Sequence, residues 1–439
     1  MVDTFRALLS IRNFRLFLIG QLVSNTGTWM QRVAQDWLVL QLTHNSGTAV
    51  GITTGLQFLP QLLFGLWGGV IADRYPKRRL LLITQGVMGV QALVLGVLTV
   101  TGTAHVYHVY ALAFLLGLAA AADSPARQAF IHEMVGPAHV PNAVGLNSAQ
   151  FNGARIIGPA IAGLLIASLG TGSVFLVNAA SYVAVLAGLL AIRPAELHAM
   201  PRPARADSRL RDALRYVREQ PELLLPITVV GFVGTFGLNF TVTISLMAKQ
   251  EFASDAAAFG YLSTAFAVGA LFGALGTAAR RTPPSRRRLV GAAVLFGLLE
   301  IAVGLMPTYW TFLALLVPTG VFALTVTTTA NAMTQINSDP LMRGRVMSIY
   351  LLVFLGGTPI GSPLVGWVAD NLGVRWSLIL GGLISALAAM AAALVFSPAR
   401  GRKAFAVGVL VPARVRVSGG RRPATQEFED LEQACAKPA

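Results

Sequence analysis

Hydrophobic runs of membrane-crossing length recur along this chain, separated by short polar stretches. A helix that crosses a bilayer needs about 20 mostly apolar residues, and twelve runs meet that need. They cover approximately 14–40, 48–72, 80–101, 108–124, 141–168 and 172–192, then 223–247, 257–279, 289–306, 309–334, 345–370 and 374–396. Many are joined by tight turns such as "THNSG", "TGTAH", "GTG" and "NLGVR". The first run follows a basic N-terminus but is too long for a secretory signal core, and it reads as an uncleaved first span.

Composition agrees with a polytopic membrane protein. Only 12% of the 439 residues are charged, against about 25% in soluble domains, and the mean hydropathy is +0.64. The net charge of +15 would suggest nucleic acid, but the basic residues sit in short clusters between apolar runs without interleaved aromatics, which excludes that reading. With twelve spans, Lys249 and Arg375 are the two basic residues in the loops of one side, Arg32 and Arg155 lie inside spans, and the other thirty of thirty-four fall on the opposite side. That asymmetry predicts cytoplasmic N- and C-termini. The single cysteine, Cys435, excludes an internal disulfide and a cysteine-based metal site.

The spans divide six and six around residues 193–222, giving bundles at 1–192 and 223–397 and a tail at 398–439. Within the linker, "DSRLRDALRYVREQ" predicts an amphipathic helix with Leu210, Leu214 and Val217 on its apolar face, capped by Asp207 or Ser208 and lying on the membrane surface. The tail, basic and then acidic, is expected to be mostly disordered.

The halves are related. A shift of 203 residues lays "FNGARIIGPAIAGLLIASLG" over "FLGGTPIGSPLVGWVADNLG", with several glycines coincident. Parallel six-helix repeats are a transporter signature, since a site between two similar bundles can open to either side. On these residues the chain resembles the major facilitator superfamily, over nearly its whole length. The loop between spans 2 and 3 carries Gly69, Asp73, Arg74, Lys77 and Arg78 of the superfamily's signature, with Pro76 where glycine is usual. The fifth span resembles the antiporter signature through Gly145, Ala154, Gly158, Pro159 and Gly163, two of whose glycines are alanines here. "DSPARQAF", "NAVGLNSAQFNGARIIGP" and "RGRVMSIYLL" resemble a bacterial branch of enterobactin-exporter-like and macrolide-efflux-like proteins. The resemblance implies an all-α fold of two pseudo-symmetric six-helix bundles in the bacterial inner membrane. It also implies a monomer that moves a small molecule without a cofactor, using a proton gradient.

Several residues are candidates for the work. The resemblance implies that Asp73 docks on the N-terminus of the eleventh span, where Arg343 and Arg345 would assist, as a latch on the cytosolic side. Arg127 and Glu133, read as lying in the loop after span four, would join that charge network. The glycines of span five predict close helix packing, and Pro159 a bend. Arg32 and Asp36, four apart, share a helical face. They are either an interfacial pair or a proton-binding carboxylate whose proton affinity Arg32 sets. Glu300 is the other deep carboxylate, and the resemblance places its helix at the periphery; Asp123 and Asp370 read as interfacial. Asn25, Gln31, Gln57, Gln61, Asn152, Asn239, Asn331 and Gln335 are candidates to line a cavity suited to an amphipathic solute. Arg155, near the middle of span five, must avoid lipid. It either partners a carboxylate such as Asp36 or lines the cavity and meets an anionic group of the substrate.

These features point to proton-coupled efflux of a drug, macrolide or siderophore, with a facilitator or importer of a metabolite or lipid as the alternative. The six histidines lie in or near loops without metal-ligand spacing, no clustered nucleophile and base is present, and no phosphate-binding GxxxxGK[ST] appears. An enzyme and an ATP-driven pump are both excluded on those grounds.

Overall fold

The computed structural model describes residues 10–198, 210–280, 282–340 and 342–396. The N-terminal half holds spans 1 to 6: Arg12–Leu42, Gly47–Arg74, Lys77–Val100, Val106–Val135, Val140–Leu169 and Thr171–Leu190. The C-terminal half holds spans 7 to 12: Pro221–Glu251, Ala256–Ala278, Arg286–Gly304, Tyr309–Asn337, Arg343–Leu372 and Val374–Val395. Nine of these are apolar enough to cross a membrane on composition alone, and span 2, bent by 62° between Gly65 and Trp67, makes a tenth. Span 1 falls short because Asn25, Gln31, Arg32, Gln35 and Asp36 interrupt it. Span 9 falls short because its nineteen residues begin with three arginines. In both, the polar residues that depress hydropathy point to protein or to the aqueous edge, where they are tolerated.

The helices extend beyond the predicted runs mainly at their polar ends. Span 4 continues to Val135, so Arg127 and Glu133 are helical residues and not loop residues. Pro159 leaves span 5 continuous from Val140 to Leu169. Span 7 departs most from regularity: π-helical turns at Val233–Gly237 and Met247–Glu251 flank the short α-helix Phe240–Leu246. Such turns often mark functional positions.

The linker contains a helix at Leu210–Glu219, and its buried face agrees with the expected one at Val217 but not at Leu214. Ala213 and Val217 are buried in the C-terminal half, while Leu214 is 40% exposed. Tyr216 accepts a hydrogen bond from the Asp339 backbone N–H at 3.1 Å. An i, i+4 alanine–valine seam therefore docks this helix on protein, where the sequence suggested a membrane surface. The expected caps Asp207 and Ser208, and the tail at 398–439, lie outside the described residues.

The halves meet along two antiparallel pairs, span 2 against span 11 and span 5 against span 8. Their cross-half contacts cluster at the end that carries few basic residues, here the sparsely charged end; the other is the basic end. Gly51 packs against the Ser362 carbonyl and Gly366 against the Gly47 carbonyl, approaches that any side chain would block. In the second pair, a Cβ on Gly163 would stand 2.8 Å from the Ala256 carbonyl oxygen, and one on Gly260 would stand 3.1 Å from the Gly163 Cα. Gln250 donates to the Asn45 carbonyl at 2.5 Å and Thr264 to the Ile156 carbonyl at 3.2 Å. Toward the basic end, no described residue approaches within 4 Å of where a Cβ on Gly69, Gly145, Gly153 or Gly344 would stand. Gly145 is thus not a packing glycine here, unlike Gly158, which lies against Thr26 and Trp29 of span 1.

Candidate functional site: a charged cavity between the halves

Span 1 presents Trp29, Arg32, Val33 and Asp36, one continuous helical face, to a cavity of about 310 Å³ between the halves. Thr54 and Phe58 of span 2 and Arg155 and Pro159 of span 5 complete the N-terminal wall. The C-terminal wall is mostly apolar, with Leu238 and Phe240 beside the irregular part of span 7, Phe266 from span 8, Leu324 from span 10 and Phe354 from span 11. Asn239 supplies an amide, fixed by donation to the Thr235 carbonyl at 2.7 Å and by a bond from the Ser362 hydroxyl at 2.8 Å.

The two guanidinium groups are held by aromatic faces. Arg32 lies 4.6 Å from the Trp29 ring centre and 5.4 Å from that of Phe58; Arg155 lies 5.6 Å from Trp29. Cation–π contacts of this kind contribute about 0.5–2 kcal/mol each as desolvation increases. Among the described residues neither arginine forms an ion pair within 4.0 Å, and the buried Arg32 Nε has no hydrogen-bond partner. The expected Arg32–Asp36 pair and the Arg155–Asp36 alternative are therefore not contacts of this state. Asp36 lines the cavity, is 5% exposed and accepts no hydrogen bond among the described residues. The i, i+4 spacing brings Arg32 and Asp36 to one face, yet the arginine turns toward Trp29.

A second cavity, also about 310 Å³, lies within the N-terminal half and shares Trp29, Arg32, Phe58 and Arg155 with the first. Asn25, Gln57 and Gln61 line it, as does Asp123. Asp123 was expected at an interface; it is 2% exposed, accepts from Thr84 at 2.9 Å and Gln85 at 2.8 Å, and stands 3.6 Å from Arg127. Arg127 also donates to Gln21 and Asn25, each at 3.3 Å, and so turns into the bundle and away from the cytosolic charge network. Replacing Asp123 by alanine is expected to destabilise this half on the order of 3 kcal/mol, because a buried pair loses its anion and two donors lose their acceptor. Thermal unfolding of the purified protein in detergent measures it.

Other expected residues lie elsewhere. Gln31 is buried between Gln91 and Asn178, with bonds of 2.9 and 2.6 Å. Asn152 donates to its own helix at Ser148, and Asn331 and Gln335 bond to each other at 2.6 Å; these three line neither cavity. Glu300 is 2% exposed inside the C-terminal half, next to Gly237, Gly381 and Ser385, and its Oε2 has no partner. Glu133 pairs with Lys77 at 3.1 Å, fastening span 4 to the start of span 3, and Arg78 donates to the Leu189 and Leu190 carbonyls. Asp73 and Arg74 are exposed, and Asp73 makes no hydrogen bond or ion pair among the described residues. Arg343 donates to the Ser338 carbonyl at 3.5 Å, and Arg345 contacts the Met342 sulfur. Asp73 is therefore not docked on span 11 in this state.

At the opposite end Asp370, also expected at an interface, accepts bonds from the backbone N–H of Gly47 at 2.6 Å and of Thr48 at 2.8 Å, and from the Ser46 hydroxyl at 3.0 Å. It caps the first turn of span 2 from across the halves. Its partners lie more than three hundred residues away in sequence, which is why local pattern did not reveal them. The Asp123–Arg127 contact did have a signal, an i, i+4 acid–base pair, hidden by ending span four too early.

Twelve spans in two bundles around a charged central cavity match a known family. The family model described as "Transmembrane secretion effector" covers residues 4–407. The chain belongs to this family of major facilitator superfamily transporters. Similar family members include the staphyloferrin A transporter of Staphylococcus aureus, 29% identical over 362 residues, 79% of this chain and 87% of the other. The multidrug efflux pump Tap of Mycolicibacterium fortuitum is 28% identical over 82% of this chain and 90% of its own. The enterobactin exporter EntS of Escherichia coli is 25% identical over 80% and 84%. Among solved structures, a bacterial homolog of the human lysosomal transporter Spinster, inward-facing and unoccupied, superposes with a TM-score of 0.71 at 15% identity, covering 88% of this chain and 97% of that one. The chain is a transporter and not an enzyme.

Proposed function

We propose that this major facilitator superfamily member exports amphipathic small molecules by alternating access, coupled to the proton gradient. The observation that carries the proposal is the cavity itself: one carboxylate, Asp36, and two guanidinium groups face a space walled mostly by aromatic and aliphatic side chains, with the Asn239 amide and a few hydroxyls among them. Apolar walls accept the body of an amphipathic solute, and a few placed polar groups orient it. Asp36 is the proton-binding group, reachable from the cavity and one helical turn from Arg32. The names of the multidrug and enterobactin relatives support efflux of drugs or siderophores.

The excess of arginine and lysine supports a cytoplasmic basic end in a bacterial inner membrane, with both termini inside. The packed, sparsely charged end is then external, and the described state is inward-facing. In the outward-facing state Asp73 docks on the N-terminus of span 11, closing the cytosolic side. The unit of transport is a monomer without a cofactor.

Inverted membrane vesicles from an efflux-deficient host test this reading. With an acid interior imposed and reported by a quenched pH dye, ethidium or erythromycin drawn from a drug panel is expected to dequench the dye as protons leave in exchange. Solute movement that ignores the gradient, or uptake into whole cells without it, would favour a facilitator.

A further inference from the structure

Spans 2 and 11 run antiparallel, and each carries an aspartate in its last turn, Asp73 and Asp370. The N-terminus of span 2 lies beside the end of span 11 that bears Asp370. By the same geometry, the N-terminus of span 11 lies at the end where span 2 bears Asp73. In this structure one of the two junctions is made. Asp370 accepts three hydrogen bonds from Ser46, Gly47 and Thr48. Its approach depends on Gly47, since a Cβ there would stand 2.9 Å from the Gly366 carbonyl oxygen and 3.0 Å from Asp370 Oδ1. At the other junction the carboxylate cap is not made among the described residues, and the first N–H groups of span 11, at Met342 and Arg343, bond to the Asp339 carbonyl at 3.0 and 2.8 Å. Asp73 is exposed and has no hydrogen bond or ion pair among the described residues, and Met342, the N-cap of span 11, provides no side-chain cap. A carboxylate at a helix N-terminus satisfies free N–H groups and meets the positive end of the helix dipole, and bonds to an ionised acceptor are among the stronger ones.

We propose that Asp370 is the latch that holds the sparsely charged end closed, and that spans 2 and 11 exchange this cap for the Asp73 cap at the basic end during each transport cycle. The proposal rests on the alternating-access reading above. Asp370 acts as a positioning residue. It lines neither cavity, and its effect is on which end of the protein is open.

Distances between spin labels test it, in purified full-length protein carrying Cys435→Ser. One label pair, at Gln41 and Asn371, spans the halves at the sparsely charged end; a second, at Tyr75 and Gly344, spans them at the basic end. All four positions are exposed. Asp370→Asn is expected to shift the ratio of short to long distances at the first pair about tenfold toward the long and to shorten the second pair. Asp370→Glu, which keeps the charge, is expected to restore most of the wild-type distribution; Asp73→Asn is expected to leave the first pair short. An unchanged first pair in Asp370→Asn, or failure of Asp370→Glu to differ from Asp370→Asn, would overturn the latch. Lengthening of the first pair with no change at the second would leave the latch standing and overturn the reciprocal exchange on which alternating access depends.

Discussion

Asp36→Asn is expected to reduce proton-coupled transport in inverted vesicles to the background of vesicles without the protein. Two physical effects act in the same direction. The amide cannot bind and release a proton, so the group that exchanges it is gone. The substitution also removes the carboxylate of the central cavity, leaving Arg32 and Arg155 stacked near one indole ring without an opposing charge. Like charges in a site of low dielectric repel more strongly than in water. Measurement of solute binding separates the effects: loss of coupling with retained binding points to the proton, whereas loss of both points to charge balance. Asp36→Glu is expected to retain partial transport. Asp36→Asn vesicles that dequench the pH dye at the wild-type rate would exclude Asp36 as the proton carrier. Glu300 would not inherit the role easily, since it is buried away from the cavity within the C-terminal half.

How far the sequence carries such a prediction depends on the range of the interaction. The twelve spans follow from apolar runs and charge asymmetry, which are properties of contiguous residues. The exposure of Arg155 to a cavity follows from the cost of a cation in lipid. Its neighbour Trp29 does not, because spans 1 and 5 come together only through tertiary packing, with Gly158 against Trp29. Polar residues within spans pointed to a cavity in general, but the same signal is given by amides bonded inside a bundle. Gln31 is satisfied by Gln91 and Asn178, whereas Gln57 and Gln61 line a cavity, and nothing local distinguishes them. The linker helix shows the opposite failure. Its periodicity was visible, yet two apolar faces overlap, and only contact with the C-terminal half selects Ala213 and Val217 over Leu214.

The antiporter-like glycines bear on a second large effect. Gly163→Leu is expected to abolish transport while leaving each half folded, because this glycine packs between halves and not within one. A leucine side chain there would collide with the backbone of Ala256 and Ala257 at the start of span 8, where even a Cβ stands at 2.8 and 3.0 Å. Backbone cannot yield as a flexible side chain does, so the cost of overpacking, typically about 1–3 kcal/mol, falls on the state in which these helices touch. Separation of the sparsely charged end removes the clash, and the population moves toward that open state by the same free energy, roughly 5- to 150-fold. The Gln41–Asn371 label distance is expected to lengthen, as it does when Asp370 is neutralised, but for a steric reason that Asp370→Glu cannot mimic. Gly163→Ala is the graded control, adding only the Cβ and giving a smaller shift. Ala154 of the same motif is buried and already carries a Cβ, so glycine is required at Gly163 against span 8 and at Gly158 against span 1, and only the first of these lies between the halves. Full transport by Gly163→Leu would show that spans 5 and 8 need not approach this closely during the cycle.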